Sequence, residues 1–382
     1  MKIKITIAFI ALFSIYSCQN SANKIDEDES DNTVTTVEQN IKYAKGFSIK
    51  KYEDYQLITL KNPWVGESKT YQYVLYKNEK PEGISADVFI KTPIKSIACM
   101  SLTHVAFIEK LNQTNTIIAL SGLNYVSSEV INKRIAAGKI KEMGQGQSLN
   151  YELLVENAPD FIMGYGIDAS SNNYISKLET LGLKLVLNSE YMENHPLGMA
   201  EWIKFVAAFY DKSSAADSIF ATIEQEYLDL VKLTANISKK PTVFTGMPWN
   251  GAWYIPGGKS FQAQLLKDAG ANYLWANGNE ERGSLTKAKE VIIDEAYEAD
   301  FWINQNSYKS ISAIVGYDPK FSGFKAVKEQ QLYNNDKRTN ATSGNDYWET
   351  GVVQPQIVLK DLIQIFHPNL IEHKLYYYRK LE

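Results

Sequence analysis

Apolar and polar positions follow several distinct rhythms along this chain. Lys2 and Lys4 precede an apolar run, Ile5 to Ile15, broken only by Thr6 and Ser14. A charged start followed by an apolar run too short to span a bilayer comfortably predicts an export leader. From Gln19 to Gln39 the chain is polar and acidic, with Asp26-Glu27-Asp28-Glu29 and no aromatic residue. Such a stretch buries too little apolar surface to offset its ordering entropy, which predicts a flexible tether. Tyr43 to Lys91 then reads as β-hairpins. Its clearest strands are Gln56 to Leu60 and Tyr71 to Tyr76, with turns at Asn62-Pro63 and Lys80-Pro81-Glu82-Gly83.

From Ile94 short apolar runs alternate with helical patterns. Strands are expected at Ile94 to Met100, Ile117 to Leu120, Phe161 to Met163 and Lys184 to Leu187, and helices at Thr103 to Lys110, Glu129 to Ala137 and Tyr174 to Leu181. This alternation implies parallel strands covered by helices on both faces. It then stops. Pro196 to Tyr210 reads as one helix, with Met199, Trp202, Ile203, Val206 and Phe209 on one face. Ser213 to Asn236 reads as a second, capped by Ser213 or Ser214 and ended by Pro241. A helix of about 24 residues spans roughly 36 Å, the width of a small domain. Afterwards the alternation resumes with strand Thr242 to Thr245, helix Phe261 to Ala269, strand Phe301 to Ile303 and helix Gln354 to Phe366.

The expected class is therefore α/β: two lobes with parallel sheets, bridged by one long α-helix. The expected segments are a leader over 1–17, a tether over 18–42, a first lobe over 43–190, a helical linker over 191–240 and a second lobe over 241–382. A motif also recurs. Glu152 opens a helix that leads through Asp160 into Phe161-Ile162, and Glu290 opens one that leads through Asp300 into Phe301-Trp302-Ile303.

Composition narrows the function. Of 382 residues, 45% are hydrophobic and 12% aromatic, which leaves ample material for two cores behind the leader and tether. A net charge of -4 offers no basic footprint for nucleic acid. Gly258-Lys259-Ser260 ends like a phosphate-binding loop, but Trp253 stands where that loop requires glycine. Gly164-Tyr165-Gly166-Ile167-Asp168-Ala169 has a dinucleotide-type spacing, yet the polar Ser170-Ser171-Asn172-Asn173 follow where an apolar helix face is needed. His104, His195, His367 and His373 lack zinc-site spacing and are expected to be buried or capping residues. No nucleophile elbow occurs. No enzymatic activity, metal or cofactor of its own is expected for the chain.

Ile15-Tyr16-Ser17-Cys18 resembles the bacterial lipoprotein box, which implies cleavage before Cys18 and its acylation. Cys99 then has no disulfide partner and reads as a small core residue.

Between Ile94 and Pro368 the chain resembles the ABC-transporter periplasmic-binding family for ferric siderophores, haem and cobalamin. The landmarks are Ile97 to Leu102 entering a helix, Gly144 to Glu152 leading to Ala158-Pro159-Asp160, the long linker helix, Pro256 to Phe261, Ala299 to Ile303 and Pro355 to Pro368. His195 to Gly198 with Glu201 to Phe205 is similar to lipoprotein members from Bacteroidetes-type bacteria. The resemblance implies lobes that barely hinge with a ligand cleft between them, a monomer lipid-anchored in the periplasm to the inner or outer membrane, and delivery to an ABC permease dimer. The cargo it implies is a metal chelate (ferric siderophore or haem), with cobalamin or another corrinoid as the alternative. A surface lipoprotein serving an outer-membrane receptor is a further alternative. The resemblance gives Glu152 and Glu290 the role of docking onto permease arginines.

Ligands of open α/β sheets bind outside the carboxyl ends of the strands. The loops expected there supply Met100, Tyr125, Tyr165, Trp249, Trp253, Tyr254, Asn306 and Trp348, with Arg282 as a partner for an anionic chelate. Aromatic rings predominate, as suits a large flat ligand. Met247 to Tyr254, rich in glycine and proline turns, is expected to present Trp249, Trp253 and Tyr254 outward.

Overall fold

A computed structural model describes residues 36–382, which form one compact unit. The leader, Cys18 and most of the expected tether lie outside the described residues.

The end of that tether is part of the fold. Strand β1 (Val37–Glu38) pairs antiparallel with β2 (Phe47–Lys51). Between them the backbone N–H groups of Lys42, Tyr43 and Ala44 donate to the carboxylate of Glu201, and those of Lys45 and Gly46 donate to Glu193. Glu201 is fully buried and also pairs with Lys204 at 2.9 Å. The segment over 36–42 is thus ordered by carboxylates supplied from far along the chain, which local composition does not reveal. Strands β3 (Tyr55–Leu60) and β4 (Tyr71–Tyr76) continue the antiparallel meander. The hairpin expectation fails at β5 (Val88–Lys91), which pairs parallel to β4. Asp87 sets this crossover, exchanging two bonds with the Gln72 backbone at 2.7 and 3.0 Å.

Two five-stranded sheets follow. The first contains β6 (Ile97–Cys99), β7 (Ile117–Leu120), β8 (Lys141–Glu142), β9 (Phe161–Gly164) and β10 (Leu185–Leu187), all parallel, in the order β10-β9-β6-β7-β8. The second contains β11 (Thr242–Thr245), β14 (Asn272–Tyr273), β16 (Phe301–Ile303), β17 (Leu332–Asn334) and β18 (Arg379–Lys380), in the order β14-β11-β16-β17-β18. Only β18 runs antiparallel. A small antiparallel sheet of β12 (Pro248–Trp249), β13 (Ala252–Pro256) and β15 (Ser284–Ala288) adjoins it. Every residue of β6, β9 and β10 is buried, as befits strands covered on both faces.

The recurring motif has the same structural task in both lobes. Asp160, just ahead of β9, accepts from the Lys95 and Ser96 N–H groups at 2.6 and 2.9 Å, where the chain enters β6. Asp300, just ahead of β16, accepts from Thr242 N–H at 2.8 Å, where β11 begins. Each carboxylate satisfies donors at the start of a central strand, which the sheet ladder leaves open.

Helices α1 (Leu102–Lys110), α2 (Glu129–Ala136), α3 (Tyr151–Asn157) and α4 (Ser171–Thr180) cover the first sheet. The polar residues from Ser171 onward form the first turn of α4, which begins three residues ahead of the helix expected at Tyr174. The single helix expected over 196–210 divides at Trp202 into α5 (Pro196–Glu201) and α6 (Ile203–Ala208), where the indole N–H donates to Glu193.

The long helix α7 (Ser213–Thr234) follows. Lys212 stands at its cap with no side-chain bond, so neither expected serine caps it. Ala216, Phe220, Ile223, Tyr227, Leu230 and Thr234 form its buried stripe. Its middle is tied to the N-terminal segment, where Glu224 accepts from Lys42 Nζ and from the Tyr43 hydroxyl at 2.9 and 2.8 Å. Its second half is tied to the second lobe. The Tyr227 hydroxyl donates to Asp268 at 2.7 Å, and the Thr234 hydroxyl donates to the Asp268 carbonyl at 2.6 Å. Asp268 ends α8 (Phe261–Asp268), and α9 (Lys289–Glu295), α10 (Ile311–Tyr317), α11 (Lys325–Lys328), α12 (Asp346–Thr350) and α13 (Pro355–Phe366) complete the molecule.

Candidate functional site

The carboxyl ends of β11, β16 and β17 open onto a cavity of about 460 Å³. Tyr254, Asn306 and Trp348 line it together with Asn304, Asn335 and Asp336. Asp336 is buried, and Lys309 at 2.6 Å and Arg379 at 2.8 Å hold its carboxyl below the ordinary range despite that burial. The cavity is therefore polar at its base and aromatic at its rim. Trp249 and Trp348 are 64% and 55% exposed, and the Trp249 and Tyr254 rings lie 6.4 Å apart.

The first lobe gathers Met100 and Tyr165 in a separate hollow of about 500 Å³, beside Tyr151 and Tyr174. Tyr125 is half exposed on the turn after β7. Its carbonyl lies against Gly344, whose neighbours Ser343 and Asn345 line the second-lobe cavity.

Two of the expected residues stand elsewhere. Trp253 is fully buried, and its indole N–H donates to the Thr245 carbonyl at 2.9 Å. Its ring packs 5.8 Å from Trp302 and 5.7 Å from Phe321. The stretch read as irregular is the strand β13, whose alternation turns Trp253 and Ile255 inward and Tyr254 outward. Arg282, exposed ahead of β15, lines a different hollow of about 770 Å³ with His195, Lys259 and Lys267. The run from Ala276 to Gly283 carries it away from the strand ends of the second sheet, so it joins a cationic neighbourhood.

Glu152 and Glu290 are both exposed and occupy the first turns of α3 and α9. Acidic groups there complement the helix dipole. Among the described residues no group of three or more His, Cys, Asp or Glu could hold a metal ion. His195 caps α5, its Nδ1 accepting from Leu197 N–H. His104 is enclosed in the core, where burial pushes its pKa down to about 3. Cys99 is also buried, which raises its thiol pKa.

Sequence reasoning missed a clasp between the lobes. Asn340 donates from Nδ2 to the carbonyls of Asn124 and Val126, both at 3.1 Å, and the Thr342 hydroxyl donates to the Asn124 carbonyl. On α12, Glu349 is fully buried and accepts from the N–H groups of Ser127 and Ser128 at 2.6 and 3.1 Å. Burial raises its pKa to about 7, against the pull of those two donors. Gly344 permits the close approach, since a Cβ there would collide with the Tyr125 carbonyl oxygen. The turn-rich run Thr339 to Asn345 is the one sequence signal for the clasp, and it names no partner.

Comparison with known proteins places this architecture. Residues 97–339 match the family profile described as periplasmic binding protein. An uncharacterized lipoprotein of Methanocaldococcus jannaschii is 29% identical over 377 residues, covering 91% of this chain and 86% of its own. Among solved structures, a periplasmic heme binding protein from Pseudomonas aeruginosa superposes with a TM-score of 0.57 at 13% identity, over 76% of this chain and 98% of its own. A periplasmic vitamin B12 binding protein of Vibrio cholerae gives 0.51 at 12% identity, over 72% and 97%. At such identities the two structures speak for the fold alone.

Proposed function

We propose, because the chain belongs to the periplasmic binding protein family, that it captures an iron complex, a ferric siderophore or haem, and delivers it to an ABC importer. The observation that carries this reading is the pair of exposed rings, Tyr254 and Trp348, that line the cavity at the carboxyl ends of the second sheet, with the exposed Trp249 ring next to Tyr254. Tyr125 approaches from the first lobe. Rings placed at that rim offer a large flat chelate apolar area at little entropic cost. The vitamin B12 binding neighbour supports a corrinoid as the second reading, since the same rings suit that macrocycle too.

The absorption spectrum of protein purified from its host distinguishes haem, corrinoid and ferric catecholate directly. Titration of the unloaded protein with each then measures affinity. Burying one such ring is worth about 2 kcal/mol, roughly thirtyfold in affinity. Trp348→Ala should therefore weaken the preferred iron complex by about that factor. Failure of every iron complex to bind would sink the reading.

On the same reading the protein lies outside the cytoplasm, held by lipid on Cys18. The lipoprotein relative from Methanocaldococcus jannaschii supports this. Glu152 and Glu290, exposed one per lobe, dock the permease. Glu152→Lys combined with Glu290→Lys should abolish uptake while isolated protein keeps its affinity for cargo. Affinity falling in step with uptake would show that they serve binding instead.

A further inference from the structure

Between the lobes lies a smaller hollow of about 180 Å³, enclosed by α1, the turn Glu190–Met192, α5, α8 and the corner from α12 to α13. Its walls are largely apolar, with Met199, Phe261, Leu265, Trp348 and Val358 among them. Trp348 also lines the larger cavity above, so the two spaces share a wall.

One ionisable side chain interrupts this lining. Glu190 is only 4% exposed. Its Oε1 accepts from the Thr103 hydroxyl at 2.5 Å, while its Oε2 is buried with no hydrogen-bond partner among the described residues. Burial raises its pKa, and the groups acting on it include no cation. A buried polar atom without a partner is rare in a native fold, and an unpaired carboxylate in an apolar enclosure is costly. A donor bearing positive charge is the group that best offsets that cost.

We propose that this hollow is a pocket for a small apolar group ending in an ammonium, which donates to Oε2 of Glu190 while its hydrocarbon part lies against Phe261, Leu265 and Trp348. The size agrees, since a dry cavity of about 150 Å³ is enough to hold benzene. Because Trp348 lines both spaces, we assign the group to an amine-bearing arm of the cargo. That last step rests on the reading of the cleft as a cargo site.

The pocket can be tested without knowing the cargo, by titrating the full chain at neutral pH with benzylamine, benzyl alcohol and toluene under ligand-observed NMR. Benzylammonium should bind at least about tenfold tighter than either neutral probe, since charge-assisted bonds are about twice as strong as neutral ones. Glu190→Gln should remove that preference with little change of shape. Glu190→Leu should reverse it in favour of toluene. Equal binding of benzylamine and benzyl alcohol, no binding of benzylamine, or a preference unchanged in Glu190→Gln would each overturn the proposal. A parallel titration with ferric chelates separates the two claims. Chelates binding where benzylamine does not would reject the pocket alone, whereas the reverse would reject the iron-uptake reading alone.

Discussion

Trp253→Ala lowers the folding free energy by about 3–5 kcal/mol, the range for deleting a large aromatic from a packed core, whereas Trp249→Ala changes it by less than about 0.5 kcal/mol. The two residues are neighbours on one hairpin, and alternation alone separates their fates. Trp253 is enclosed among Phe244, Trp302 and Phe321, and its indole N–H satisfies the Thr245 carbonyl at the end of a central strand. Truncation leaves a cavity and an orphaned carbonyl together. Trp249 is 64% exposed, so its removal returns little buried surface to water. Urea unfolding of both variants, with the linear dependence extrapolated to water, gives the comparison. Equal losses in the two proteins would contradict the inward and outward assignment. Cargo titration should then show the opposite ranking, with Trp249→Ala the more damaging.

The second large effect depends on pH and resides in the clasp. Glu349 has a folded pKa of about 7 against an ordinary 4.5. A carboxyl raised in this way holds its proton more tightly when folded than when unfolded. Its contribution to stability is therefore fully present below about pH 4.5 and is lost as pH rises through about 7. The full excursion is about 3 kcal/mol, because each tenfold gain in proton affinity is worth roughly 1.4 kcal/mol. Glu349→Gln stays neutral throughout and has no such dependence. Subtracting its unfolding free energy from that of the wild type at each pH cancels the other carboxylates. The difference should move against the wild type by about 3 kcal/mol between about pH 4 and about pH 8. A difference that stays flat would mean the buried carboxyl is compensated by the Ser127 and Ser128 donors.

Legibility in the sequence followed the range of the interactions involved. Ile117–Leu120 and Thr242–Thr245 are readable to the residue, because a short apolar run bounded by polar turns is a local signal. The bridging helix is equally plain from the spacing of Phe220, Ile223, Tyr227 and Leu230. Trp253 misled because glycine and proline on either side of it suggest a loop, while the strand is defined by pairing with Ser284–Ala288 further along the chain. Arg282 was misplaced for the same reason, since nothing local tells on which side of the second sheet its segment emerges. The end of the tether, from Thr36 to Lys42, has the composition of disorder and is ordered by pairing with β2, by Glu201 and by Lys204. The clasp, and the hollow above Glu190, exist only once two lobes have been brought together. No window along one chain contains them.

The long helix also bears on kinetics. Its middle is bonded to the N-terminal segment and its later turns to Asp268, so it acts as a strut and not as a joint. The lobes give up their relative freedom when the chain folds, and that entropy is no longer lost when cargo arrives. On the proposed reading of the cleft as a cargo site, capture then needs no closing step, and the encounter itself sets how fast the cleft fills. On that same reading release is the slower event, governed by how firmly the rim holds its cargo.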